Sequence, residues 1–253
     1  MPTEYYFIAA AGSLLAGIIN TLAGNGSSIT LSILMYVIGL PPQQANATIR
    51  VGIFAMTMGA LPTFLKKGHI KIQRDWLLVT SMTIGAILGI FTAVWVSNEL
   101  FKEIFKYMFI IMLGLALFDT KSWLRKTGEQ RNLPAPLIII LFLLVGFYGG
   151  FVQMGVGVFF LFVTVLGARY NLIDAGGLKL ACVALYTPIA ILVFAWHGLI
   201  CWDLALAMSI GELIGGRLGA HFATTHPKAA FWAHRLLVIV LVAAIIRAFW
   251  PMP

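Results

Sequence analysis

Residues 20–50 read NTLAGNGSSITLSILMYVIGLPPQQANATIR, and the fold turns on them. An apolar helix arriving at Asn20 is interrupted by Gly24-Asn25-Gly26. A short apolar segment, 27–40, follows and stops at Pro41-Pro42. At α-helical rise its length is roughly 21 Å, short of the ~30 Å hydrocarbon core of a bilayer. It is either a crossing helped by unwound flanks or a re-entrant segment. The chain then enters another apolar run that carries Arg50 well inside it. An ionised side chain at membrane depth costs about 2.5–3.5 kcal/mol on insertion scales and normally faces a cavity or a partner. A broken segment beside a buried cation therefore reads as a binding site.

Composition sets the class. The chain has 253 residues, 60% hydrophobic and 10% charged, with a mean hydropathy of +0.95. Soluble domains carry about 25% charge, so the expected fold class is an all-α polytopic membrane protein lying in the lipid bilayer. The net charge of +8 fits basic cytoplasmic loops, and nucleic acid is not an expected partner. Cys182 and Cys201 lie in or beside apolar runs and form no CxxC pair. The start, MPTEYYF, lacks the basic region of a cleaved signal, so the first span is expected to be retained in a multi-pass protein of the cell (inner) membrane.

Further spans are expected at 5–23, 45–65, 76–96 and 107–118, with 97–106 a mixed-charge interfacial stretch. The second half repeats the first. Gly17 and Gly146, Gly26 and Gly155, and Arg50 and Lys179 are each 129 apart. Gly68 and Gly198, Gly85 and Gly215, and Gly89 and Gly219 are each 130 apart. The matching spans are then 137–151, 156–167, 172–196, 204–223 and 231–250. This gives a first transmembrane repeat over 1–118, a basic cytoplasmic linker over 119–135, and a second repeat over 136–253. Such repeats characterise transporters. With five segments per half, the basic loops 66–74, 119–132 and 221–235 share one side, and Lys102 and Lys106 are the main basic residues on the other. The positive-inside rule thus favours two pseudo-symmetric, inverted repeats of about five transmembrane segments each, with both termini outside.

Arg50 and Lys179 occupy equivalent places in the two repeats, and inverted symmetry would set them on either side of one site. Asn46 and Thr48 stand beside Arg50. Asn20, Asn25, Gly26, Ser27 and Ser28 build the first break, and Gln153 and Gly155 the second. Amides freed at such breaks attract anions. These eleven residues are the expected substrate-binding set for a small anion. The competing reading is that the cations neutralise buried acids, Glu212 or Asp174. Glu212 is also a candidate proton relay. Tyr186, Thr187 and Pro188 fit packing. His221, His226 and His234 lack zinc spacing. No phosphate-binding loop, serine elbow or HExxH motif occurs, so neither cofactor nor metal is expected and the chain does not read as an enzyme. Gly85/Gly89 and Gly215/Gly219 could pack helices within one chain or in a homo-oligomer.

The order GxxNxxxGxG (17–26), GLPP (39–42), ANATxR (45–50) and KKGHI (66–70), echoed by GxxGGxxxxGxG (146–157), LKL (178–180), HGLI (197–200) and GGRLGA (215–220), resembles the sulfite exporter TauE/SafE family over nearly the whole chain. The resemblance implies a secondary transporter or exporter of sulfur-containing anions such as sulfite, sulfonates or sulfoacetate. It carries the family's polar positions over to Thr48, Arg50 and Lys179. A membrane-embedded enzyme or an assembly protein without transport is the alternative.

Overall fold

The computed structural model describes residues 2–70, 72–117, 133–168 and 170–249. Those residues form helices: α1 (Thr3–Ala23), α2 (Ser27–Ser32), α3 (Pro42–Lys66), α4 (Ile72–Ala93), α5 (Asn98–Leu117), α6 (Ala135–Phe151), α7 (Val156–Leu161), α8 (Leu172–Trp196), α9 (Trp202–Thr225) and α10 (Ala229–Phe249). The two short helices each finish in a π-helical turn, Ile33–Val37 after α2 and Phe162–Gly167 after α7. Most of the expected linker, 119–132, lies outside the described residues, as do Phe118 and Lys71.

Among the described residues, four helices are long and apolar enough to cross a membrane: Thr3–Ala23, Pro42–Lys66, Asp75–Ala93 within α4, and Leu172–Trp196. Shorter apolar helices cover Ser27–Val37, Ala135–Phe151 and Val156–Val165. Large apolar side chains such as Phe91, Leu192, Ile210 and Ile239 are exposed, as are Trp95 and Trp196 at helix ends. Water would not tolerate that surface and lipid does, so this is a multi-pass membrane protein.

One expectation is corrected. Residues 97–106 are not a separate interfacial stretch, because α5 begins at Asn98 and runs through them. Phe101 and Phe105, one turn apart, are buried, while Lys102 and Glu103 are exposed. The charges form the outer face of an amphipathic helix start.

Glycine contacts fix the helix directions. Gly211 faces Ala10 and Leu14, and Gly219 faces Ile18 and Thr21, so α1 and α9 run parallel. Gly52 faces Met208 and Glu212, and Gly59 faces Leu213 and Arg217, so α3 runs the same way. Gly146 and Gly150 face Met82 and Ala86, and Gly85 and Gly89 face Leu143 and Phe147, so α4 and α6 are parallel to each other. Gln43 Nε2 donates to the carbonyls of Ala93 (3.2 Å) and Val94 (3.1 Å), tying the start of α3 to the end of α4. Thr48, near the start of α3, meets Cys201 beyond the end of α8, and Phe64 near its end meets Gly176 and Gly177 near the start of α8. Helices α1, α3 and α9 therefore point one way, and α4, α6 and α8 the other. Because α1 and α3 share a direction, the chain between them must return. It does so through α2: Gly26 lies against Ala16 and Asn20, and Ile33 against Gly12.

Candidate functional site

Two interruptions meet in the middle of the bundle. Helix α1 ends because Gly24 takes φ +79°, a left-handed conformation that costs other residues about 1–2 kcal/mol. Its N–H donates back to the Asn20 carbonyl at 3.0 Å. Helix α6 ends differently: Val152 is extended, and Gly155, at φ +65°, opens α7. The chain at Gly24 packs directly on the chain at Gly157, and a Cβ on either would strike the other's backbone. Ser27 stitches the breaks together. Its Oγ donates to the Gln153 carbonyl (3.3 Å) and accepts from the Gly155 N–H (3.2 Å).

The cations reach across this junction. Arg50, fully buried, donates from Nη1 to the Gly149 carbonyl (2.8 Å) and Gln153 Oε1 (2.8 Å), and from Nη2 to the Gly150 carbonyl (2.6 Å). Its guanidinium carbon lies 5.3 Å from the Phe194 ring centre. Lys179, 3% exposed, donates to the Asn20 carbonyl at 2.6 Å. Gly149 stands 129 residues after Asn20, the same offset that relates Lys179 to Arg50. Each cation thus caps the carboxyl end of the other half's broken first helix, where unpaired carbonyls and the helix dipole favour positive charge.

The acid partners of the competing reading are not the ones the described hydrogen bonds use. Asp174 accepts from the Asn171 side chain (2.8 Å) and contacts His69 Nδ1 at 2.7 Å, at the end of the bundle where α3 stops and α8 starts. Tyr170 and Asp75 are hydrogen-bonded at the same end. Both carboxyl oxygens of Glu212 are buried and lack a hydrogen-bond partner among the described residues.

Most of the expected residues converge. Asn46 donates from Nδ2 to the Phe151 carbonyl (3.0 Å) and accepts at Oδ1 from the Gln153 N–H (3.1 Å), holding the second break beside Arg50. Gln153 Oε1 also accepts from the Tyr186 hydroxyl at 3.3 Å, a polar contact for a residue expected only to pack. Ser28 Oγ donates to the Asn25 carbonyl (2.7 Å). Gly26 is in van der Waals contact with α1, where a Cβ would meet the Ala16 carbonyl and Asn20. Asn25 has no exposed surface, and neither atom of its carboxamide has a partner among the described residues. Two residues stand apart. Thr48 accepts from the Cys201 N–H (3.1 Å) in the α8–α9 connection, and Glu212 lies on α9 against Gly17 and Gly52. Reasoning from the sequence missed Phe194, Gly149 and Gly150. The last two act through carbonyls, and only the glycine pair itself could have pointed to them. An apolar cleft of about 490 Å3, lined by Ile18, Leu22, Leu218, Phe222, His226, Trp232 and Leu236, contains none of the expected residues.

A family model described as sulfite exporter TauE/SafE matches residues 9–248. The chain belongs to the sulfite exporter TauE/SafE family. Similar curated proteins include the probable membrane transporter protein ORF9 of Sinorhizobium sp, 29% identical over 96% of this chain and 90% of that protein. A probable membrane transporter protein of Xylella fastidiosa is 25% identical, with 95% and 93% covered. The probable membrane transporter protein YfcA of Escherichia coli is 24% identical, with 96% and 87% covered. No solved structure matches. This TauE/SafE protein is accordingly a membrane transporter rather than an enzyme.

Proposed function

We propose that this protein moves small sulfur-containing anions, of the sulfite, sulfonate or sulfoacetate type, across the cell inner membrane through a midplane site between two inverted repeats. The observation that carries the reading is Asn25, a fully buried carboxamide with no partner among the described residues, at the junction of two helix breaks. A buried amide left without partners costs about 1–3 kcal/mol, and such a group in a native interior calls for a bound water or ligand. A sulfonyl oxygen bound there would accept from its Nδ2. Arg50 and Lys179 flank the junction from the two sides and supply the positive field an anion needs, and Arg50 Nε has no partner among the described residues.

Helix directions support the inverted arrangement. Helices α1 and α6 are equivalent by offset yet point oppositely, as do α3 and α8, and α4 and α9. The return of α2 along α1 fits five segments per half, since it brings α3 in on the side where α1 starts. The parallel pair α3 and α9 both end on the side of Lys66, Lys67 and Lys228, which the positive-inside rule assigns to the cytoplasm.

The test is flux of labelled sulfite and of an alkanesulfonate into proteoliposomes, with Asn25→Ala beside the wild type. Saturable, mutually competitive uptake is expected. Losing one hydrogen bond to a charged ligand, worth about 1.5–3 kcal/mol, should weaken affinity about ten- to hundredfold. The melting temperature should stay unchanged, because no internal partner is lost. Wild-type affinity in Asn25→Ala, or no saturable flux of either anion, overturns the reading.

A further inference from the structure

We infer that Glu212 is the proton-binding group that couples transport to pH, one proton moving with each anion. The inference rests on the anion-transport reading above. Glu212 is 1% exposed, and its two carboxyl oxygens lack a partner among the described residues. An ionised carboxylate placed so would be prohibitively costly without a counter-charge, so this packing favours the neutral acid.

The packing around it makes that proton consequential. Helix α9 meets α1 and α3 with backbone against backbone. A Cβ on Gly17 would lie 2.8 Å from the Glu212 carbonyl oxygen, and one on Gly52 3.2 Å from its Cγ. Gly17 is three residues before Asn20, where α1 begins to break, and Gly52 is two residues after Arg50. Glu212 therefore presses on both elements that build the anion site. Ser13, one turn before Gly17, is also buried, and its hydroxyl has no partner among the described residues, so a second polar group lies on the same face of α1.

Among the described residues, nothing charged on the surrounding helices neutralises Glu212. On α3, Arg50 donates its described bonds to α6 and Gln153, and Lys66 lies at the far end. Helix α1 offers Glu4, Tyr5 and Tyr6, all in its first turn. On α9 itself, Asp203 lies in the first turn, and Arg217 and His221 are exposed. On the α10 side, His226 and Lys228 are exposed, and Arg235 stacks on Phe231. The equivalent position in the first half, 130 residues earlier, is the apolar Met82, so the device is single rather than doubled.

The cycle follows. A proton from the aqueous phase forms the O–H bond on Glu212, the seam between α1, α3 and α9 closes, and Asn25 and Arg50 are held at the site with the anion. On the other side the O–H bond breaks, the proton passes to water, and the charged carboxylate draws water into the seam and opens it. Proton and anion thus bind together.

The experiment is calorimetric binding of an alkanesulfonate, which stays ionised across the pH range, to wild type and Glu212→Gln. Wild-type affinity should rise by up to about tenfold per pH unit of acidification, and Glu212→Gln should lose that dependence. Accumulation driven by an imposed pH gradient in proteoliposomes should be lost too. Equal pH dependence in both proteins overturns the inference. If the wild type binds no sulfonate, the anion reading fails. Infrared spectroscopy then decides Glu212 separately. A carboxylic-acid carbonyl band that titrates with bulk pH and is missing from Glu212→Gln supports it, and identical spectra overturn it. Should Glu212→Gln fold poorly, Glu212→Asp must shift that band.

Discussion

Replacing Arg50 by Met keeps an apolar stem of similar reach and removes the cation. Three acceptors lose their donor: the carbonyls of Gly149 and Gly150 and Oε1 of Gln153. Gln153 retains the Tyr186 hydroxyl, so two buried carbonyls at the end of α6 are stranded. At about 1–3 kcal/mol per stranded acceptor the gross cost is about 2–6 kcal/mol, and relief of the desolvated guanidinium offsets part of it. A net loss of about 2–4 kcal/mol is expected, roughly 5–15 °C in melting temperature on the scale of domains of this size. Arg50→Lys leaves an ammonium able to reach one carbonyl, as Lys179 does at Asn20, and should cost about half as much. Lys179→Met should cost least, because the Asn20 carbonyl also accepts from the Gly24 N–H. The assay is thermal unfolding of the three purified variants in detergent, each combined in turn with Glu212→Gln and Asp174→Asn. If Arg50→Met melts at the wild-type temperature, the capping role is wrong. Rescue by either acid replacement would mean the cation serves a carboxylate after all.

The junction itself should be intolerant in a position-specific way. Gly26→Val drives a Cβ into the Ala16 carbonyl and Asn20 and should abolish folded expression. Gly155→Asn should be tolerated where Gly155→Val is not, because Asn enters the left-handed region at φ +65° far more readily than a β-branched residue; size-exclusion profiles of the three variants check both statements. For topology, Lys67→Cys and Lys228→Cys, with Cys201 replaced by Ser, should react with an impermeant maleimide only from the cytoplasmic side. Trp196→Cys should react only from the other, and same-side labelling of Lys67 and Trp196 positions would refute the assigned helix directions.

Much of this was legible beforehand, for identifiable reasons. The span read over 172–196 coincides with α8 (Leu172–Trp196), because Asn171 caps its start through Asp174 N–H and the apolar run ends at Trp196. The breaks were legible because Gly24-Asn25-Gly26 has no other purpose in a span. The start of α5 was not, because Glu99, Lys102 and Glu103 dilute its hydropathy while Phe101 and Phe105 carry the buried face. The partners of Arg50 and Lys179 were also hidden. Charged side chains raised charged partners as the competing reading, but three of the four acceptors are backbone carbonyls, which every residue has and no sequence pattern marks, and the fourth is Gln153 Oε1. What betrays them in retrospect is the register: the offset linking the cations also links the carbonyls they cap.

The exchanged caps also set a timetable for biosynthesis. Asn20 and the ammonium that satisfies it are 159 residues apart, so a ribosome making the chain from its amino end releases α1 long before Lys179 exists. Until α8 enters the membrane, the carboxyl end of α1 must lean on water, lipid headgroups or the insertion machinery. Arg50 waits in the same way for Gly149. Neither half is a finished object when it leaves the ribosome, and the core of the protein can close only once the second half has been laid alongside the first.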